Sequence, residues 1–126
     1  MLIAGLYVGL GTLLVLALAI RVMWLRNVHA VGIGAAGHED LSRAIRAHAN
    51  AVEYLPLALL MLVLLAFEQT RPALLHGFGI ALIVARVLHA LGLSSSAGRS
   101  FGRMAGAGLT VLTMLVMAVL LLARFV

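Results

Sequence analysis

Four long apolar runs dominate the chain, and short polar segments separate them. Each run exceeds the roughly 20 residues that a helix needs to cross a 30 Å hydrocarbon core. The pattern therefore predicts an all-α fold, an integral membrane four-helix bundle, in a single domain that covers residues 1–126. The predicted helices span residues 2–25, 41–67, 73–93 and 101–125.

The composition agrees with a location in the membrane. Of the 126 residues, 64% are hydrophobic and 10% are charged, and the mean hydropathy is +1.18. Soluble domains contain only about 45–50% apolar residues. The net charge of +5 comes from arginines at the ends of the apolar runs. It therefore indicates topology, and it does not predict nucleic-acid binding, which needs a soluble basic surface.

The nine basic residues, all of them arginines, are distributed unevenly between the two sides of the predicted bundle. Arg71 and Arg124 lie on one side, and the other seven lie at or near the two long connections. By the positive-inside rule these connections are cytoplasmic, so both termini face the periplasm of a bacterial inner membrane. The seven are Arg21, Arg26, Arg43, Arg46, Arg86, Arg99 and Arg103.

The chain contains no cysteine, so it forms no disulfide and carries no thiol nucleophile of its own. Any thiol chemistry therefore requires a small molecule that brings the sulfur. No spacing of histidine and carboxylate residues resembles a metal site, and no glycine-rich phosphate loop follows a strand. The sequence predicts no metal centre.

A ladder of polar residues follows one face of the second predicted helix. Arg43, Arg46, Asn50 and Glu53 are spaced three or four residues apart, which places them on one stripe. A charged side chain at the centre of a membrane helix costs about 2.5–3.5 kcal/mol, so such groups usually face a bundle interior or a polar cavity. The ladder either bridges helices or binds a ligand. Two arginines against one carboxylate leave positive charge unbalanced, which favours an anionic ligand.

The third and fourth predicted helices bring further polar residues to the same membrane surface. Arg86 and His89 share one face of the third helix, and Arg99 and Arg103 flank the start of the fourth. Each has an ordinary structural alternative, as a core histidine or as a positive-inside anchor. Together with the ladder they predict a site for a small dianionic ligand at the cytoplasmic rim.

Segment 46–56 reads RAHANAVEYLP and resembles the signature of the MAPEG superfamily, the membrane-associated proteins of eicosanoid and glutathione metabolism, in particular its small bacterial members. The four spans, the Arg-x-x-His of the third helix and the arginines before the fourth occur in the same order as in that family. The resemblance therefore covers nearly the whole chain. It implies homotrimers of four-helix subunits that bind glutathione between neighbouring subunits, near the cytoplasmic side.

The resemblance also implies roles for matching residues. The residues expected to bind glutathione are Arg43, Arg46, Asn50, Glu53, Tyr54, Arg86 and His89. The arginine expected to stabilise the thiolate is either Arg99, which precedes Ser100 as in the prostaglandin E synthase branch, or Arg103, which matches an Arg-x-x-small pattern. No tyrosine occurs near Leu93, where several catalytic members carry one. That difference argues against eicosanoid synthase activity.

These observations predict a membrane-bound glutathione transferase or peroxidase-like enzyme, in which glutathione thiolate reacts with lipophilic electrophiles that arrive through the bilayer lipid. Neighbouring cations lower the pKa of a thiol and so favour the reactive thiolate. The alternative is a non-catalytic lipid- or glutathione-binding membrane protein on the same fold. A small multidrug-type transporter also has four short spans, but it needs an acidic residue in its first helix, and residues 2–20 contain none.

Overall fold

The structure is a computed structural model, and it describes residues 1–95 and 100–124, except the side chain of Ser95. Its helices are α1 (Leu2–His29), α2 (Glu39–Phe67), α3 (Pro72–Ser95) and α4 (Phe101–Leu122). All four are long and apolar enough to cross a membrane. The prediction of an all-α four-helix membrane bundle is confirmed.

Local sequence explains where the helices begin and end. Helix α1 continues four residues past its predicted end and stops where Ala30 adopts a left-handed conformation, with φ of 54°. Helix α2 begins two residues earlier than predicted, and its first turn contains Glu39 and Asp40, whose charges suit the positive end of the helix dipole. Before α4, the hydroxyl of Ser100 accepts a hydrogen bond from the backbone N–H of Arg103 at 3.4 Å and so caps the helix.

The connection between α1 and α2 is held by polar contacts. One nitrogen of Arg26, Nη1, donates to three backbone carbonyls of this loop. The acceptors are the oxygens of Val31, Gly32 and Gly34, at 3.4, 3.0 and 3.1 Å. His29 Nε2 lies 2.9 Å from Asp40 Oδ2, and its ring stacks on that of His38 with centroids 3.9 Å apart. These contacts set the position at which α2 starts.

Helices α3 and α4 approach each other closely because glycines lie at their contact. A Cβ atom at Gly106 of α4 would collide with the carbonyl oxygen of Ala85 and the backbone of His89, both in α3. A Cβ at Gly92 of α3 would likewise collide with the backbone of Arg103. Small residues permit such close packing of membrane helices. The contact brings the α3 polar residues against α4.

The apolar core fills the centre of the bundle, and the polar ladder of α2 lies outside it. The largest fully buried side chains include Leu55, Leu62, Leu65, Leu82 and Met117. A second, smaller cluster lies nearer the first and third connections and contains Leu18, Ala47, Ala51, Ala90 and Leu93. Because α2 places its alanines and leucines against the other helices, the ladder residues come to the edge of the buried face.

Candidate anion site at one end of the bundle

A cavity of about 250 Å³ lies where α2 begins, α3 ends and α4 begins. We call it the arginine cavity, because three of its five lining residues are arginines. Its lining consists of Ser42, Arg43, Arg46, Leu93 and Arg103. Among the described residues, no carboxylate lines it, so the cavity presents concentrated positive charge and hydrogen-bond donors. Guanidinium groups suit planar carboxylates, to which they donate two parallel hydrogen bonds.

Arg43 retains hydrogen-bonding capacity in the arginine cavity. Its Nη1 lies 3.4 Å from Glu39 Oε2, while its Nε is buried and has no hydrogen-bond partner among the described residues. The Glu39 side chain is 81% exposed, so the pair is screened by solvent and contributes little stability. An anion in the cavity would bind the exposed part of the Arg43 guanidinium, because the Arg43 side chain is 27% exposed while its Nε is closed to solvent.

Arg46 and Glu53 lie on the exposed face of α2. In the part of the chain that the structure describes, neither side chain forms a hydrogen bond or an ion pair with another residue. The interpretation of the ladder as a bridge between helices of one subunit therefore does not hold for these two residues. Glu53 lies roughly 15 Å along α2 from Arg43, at 1.5 Å per residue, where an uncovered carboxylate in lipid is costly.

Asn50 is the ladder residue that does bridge helices. Arg86 of α3 donates from Nη1 to Asn50 Oδ1 at 2.6 Å and from Nη2 to the carbonyl oxygen of Gly106 in α4 at 3.4 Å. Its Cζ atom also lies 5.6 Å from the ring centroid of Tyr54, within range of a cation–π contact. Asn50 of the ladder and Arg86 of α3, which the sequence predicted on separate helices, thus belong to one cluster.

Three further residues were predicted for the site: His89, Arg99 and Arg103. His89 is only 6% exposed and lies at the α3–α4 contact near Gly106; it does not line the arginine cavity. Arg103 does line it. Arg99 lies outside the described residues. Of the two candidate thiolate-stabilising arginines, Arg103 is therefore the one for which the structure provides a position.

Sequence reasoning did not assign four residues to the site at this end of the bundle. Ser42 and Leu93 line the arginine cavity, and Arg21 of α1 donates a hydrogen bond to Ser94 of α3. Ser42 precedes Arg43, so its position at the start of the ladder was an available signal. An apolar residue such as Leu93 carries no such signal, because nothing in its local pattern distinguishes a cavity wall from core.

A larger groove of about 440 Å³ lies between α1 and α2, further along the bundle. It is almost wholly apolar, with Gly11, Val15, Leu55, Pro56 and Leu59 among its lining residues, and none of its lining residues is titratable. Among the described residues, no group of three or more His, Asp and Glu side chains is arranged to hold a metal ion. The arginine cavity is therefore the better candidate for polar chemistry.

Comparison with known proteins agrees with this architecture. The model of the MAPEG family matches residues 3–123. Inner membrane protein YecN from Escherichia coli strain K12 is 33% identical over 90 residues, which cover 71% of this chain and 69% of YecN. YecN from Escherichia coli O6:H1 strain CFT073 matches to the same extent. With four apolar helices and relatives in the inner membrane, this chain is an integral inner membrane protein and belongs to the MAPEG family.

Proposed function

We propose that the protein is a membrane-bound, glutathione-dependent transferase or peroxidase-like enzyme that acts on lipophilic electrophiles. The observation that carries the proposal is the arginine cavity, which is lined by three arginines from two helices and by no carboxylate among the described residues. Membership of the MAPEG family supports glutathione as the ligand. Glutathione carries two carboxylates and a thiol, and the chain itself has no cysteine.

In this proposal, residues of α2 bind the charged groups of glutathione, and a residue of α4 stabilises its thiolate. Arg43 and Arg46 offer donors to the carboxylates of glutathione, and Glu53 offers an acceptor to its ammonium group. Arg103, which α4 contributes to the cavity lining, provides positive charge for the thiolate. The thiolate sulfur attacks an electrophilic carbon, a carbon–sulfur bond forms, and the leaving group departs with its electron pair.

A homotrimer forms part of the proposal. The arginine cavity, at about 250 Å³, is smaller than the roughly 300–1,000 Å³ of most small-molecule sites. Arg46 and Glu53 also face outward from the subunit, where a neighbouring copy would cover them and complete the site. Covering these groups removes the cost of exposing them to lipid.

One feature of the cavity favours the second candidate, a non-catalytic glutathione- or lipid-binding protein. Leu93 lines the arginine cavity and contributes no hydroxyl group there. Activation of the thiol thus falls to the arginines and the Ser42 hydroxyl. A site that binds glutathione without activating it would have a similar lining. Turnover distinguishes the two candidates.

The test uses purified protein in detergent. Calorimetry measures the binding of glutathione. The rate of conjugation is measured with 1-chloro-2,4-dinitrobenzene, a general lipophilic electrophile. We expect both binding and a conjugation rate above that of protein-free detergent. Binding with neither conjugation nor reduction of a lipid hydroperoxide would select the non-catalytic candidate. Absence of glutathione binding by the folded protein would refute the proposal.

A further inference from the structure

Arg86 is buried behind the ladder of α2. Its side chain is 3% exposed, and it is not among the residues that line the arginine cavity. Nη1 and Nη2 donate to Asn50 and Gly106, and Nε is buried without a partner among the described residues. Among the described residues, the hydrogen bonds of this guanidinium are therefore with protein groups, and Arg86 does not belong to the lining of the cavity.

The Arg86 contact fixes the orientation of the Asn50 amide. A side-chain amide has one acceptor oxygen and one NH₂ group with two donors, whereas a guanidinium has donors alone. The amide must therefore turn its oxygen to Arg86, as it does at 2.6 Å, because the reversed amide would place donor against donor. The NH₂ group consequently points away from Arg86. In the part of the chain that the structure describes, it has no hydrogen-bond partner.

The NH₂ group of Asn50 belongs to the ladder, between Arg46 and Glu53 on the same helix face. An unused pair of donors beside an arginine suits a carboxylate or a peptide carbonyl of a ligand. We propose that Arg86 is a positioning residue: it holds the Asn50 amide so that the NH₂ group donates to glutathione, and Arg86 itself makes no ligand contact. This role rests on the proposed function for the identity of the ligand, and it differs from the direct contact that the family resemblance implies for Arg86.

The first test is a double-mutant cycle on glutathione affinity, measured by calorimetry for wild type, Arg86→Met, Asn50→Ala and the double variant. We expect each single variant to bind about tenfold more weakly, as for loss of a hydrogen bond to a charged group. The double variant should bind no more weakly than Asn50→Ala. A further tenfold loss in the double variant would show that Arg86 contacts the ligand, which would overturn the proposal.

A purely structural role for Arg86 gives a different result in the same experiment. It would lower the fraction of binding-competent protein while the remaining sites keep the wild-type Kd, and that outcome also overturns the proposal. Arg71→Met is the matched control, because it removes an exposed arginine from the other end of the bundle. If Arg86→Met does not assemble, Arg86→Gln takes its place in the cycle, since a glutamine amide offers both a donor and an acceptor and so no longer fixes which end of the Asn50 amide faces it.

A second test needs no ligand, so it separates this proposal from the proposed function. The chain contains two asparagines, Asn27 and Asn50, so protein labelled with ¹⁵N at asparagine shows two side-chain NH₂ groups by NMR. We expect substitution of Arg86 to shift the Asn50 NH₂ signals and leave those of Asn27 in place. Unchanged Asn50 signals would overturn the positioning role, even if wild type binds glutathione. Shifted signals in a protein that binds no glutathione would refute the proposed function and leave only the orientation of the Asn50 amide by Arg86.

Discussion

The guanidinium groups of Arg26, Arg86 and Arg103 lie in three different environments. Arg26 holds a loop through backbone carbonyls, Arg86 joins three helices from a buried position, and Arg103 lines a polar cavity. The positive-inside rule assigns all three to the same side of the membrane without distinguishing among them. The role of each arginine follows from the acceptors that its guanidinium reaches.

The role of Arg103 is tested through the thiol of bound glutathione. Because a cation beside a thiol favours the thiolate, the pKa of the bound thiol should lie well below the free value of about 8.5. Arg103→Ala should abolish this shift and leave much of the carboxylate-driven binding intact. The pKa shift is measured by titrating the ultraviolet absorbance of the thiolate against pH with protein present. If Arg99→Ala abolishes the shift while Arg103→Ala retains it, Arg99 is the activating residue.

The exposed ladder residues should affect binding more than folding. Arg46 and Glu53 make no hydrogen bond or ion pair within the described residues, so Arg46→Ala and Glu53→Gln leave no buried group unpaired in the subunit. Each should weaken glutathione binding roughly tenfold or more, since a hydrogen bond to a charged group contributes about 1.5–3 kcal/mol. Calorimetry measures the loss, and Arg124→Ala is the control for removal of an exposed arginine. Unchanged affinity in both ladder variants would contradict the site assignment.

At the scale of the helices, the contact between α3 and α4 decides where the α3 polar residues lie. Arg86 reaches the carbonyl oxygen of Gly106 because the two backbones approach so closely at that point. Wider spacing would separate Arg86 from α4 and remove one of its acceptors. The small residues of these helices therefore contribute to the site although they carry no polar side chain.

Gly106→Ala should destabilise the bundle, because the added methyl group would meet the Ala85 carbonyl and the His89 backbone. Overpacking of this kind typically costs about 1–3 kcal/mol. Gly108→Ala is the matched control two residues along α4, where an added Cβ meets nothing within 4 Å. Thermal unfolding in detergent compares the two variants. Equal unfolding temperatures would show that the α3–α4 contact tolerates a wider spacing.

For the whole molecule, arginine distribution predicts the orientation in the membrane. The α1–α2 and α3–α4 connections should be cytoplasmic, and a reporter fused after Val126 should be exported, because seven of the nine arginines lie at or near one side. Alkaline phosphatase fused at the C-terminus should therefore be active in cells. A well-expressed but inactive fusion, together with an active fusion in the α1–α2 connection, would reverse the orientation and place the arginine cavity on the periplasmic side.

The sequence by itself determined the class of the protein, the number of its helices and the residues of the ladder. Hydropathy and helical period are local properties, so they identify membrane spans and a common face such as that of Arg43, Asn50 and Glu53. The observed helix ends differ from the predicted ones by a few residues. Capping contacts are one reason, since the helix that ends at the left-handed Ala30 extends beyond its apolar run.

Tertiary structure alone decided which polar residues meet. The rotation of each helix about its axis, and the close approach permitted by Gly92 and Gly106, depend on side-chain packing between segments far apart in the chain. That packing buried Arg86 against Asn50. The same packing placed Arg103 and the α2 arginines in the lining of one cavity. No pattern along a single helix carries that information, because it arises from the fit of four helix surfaces to one another.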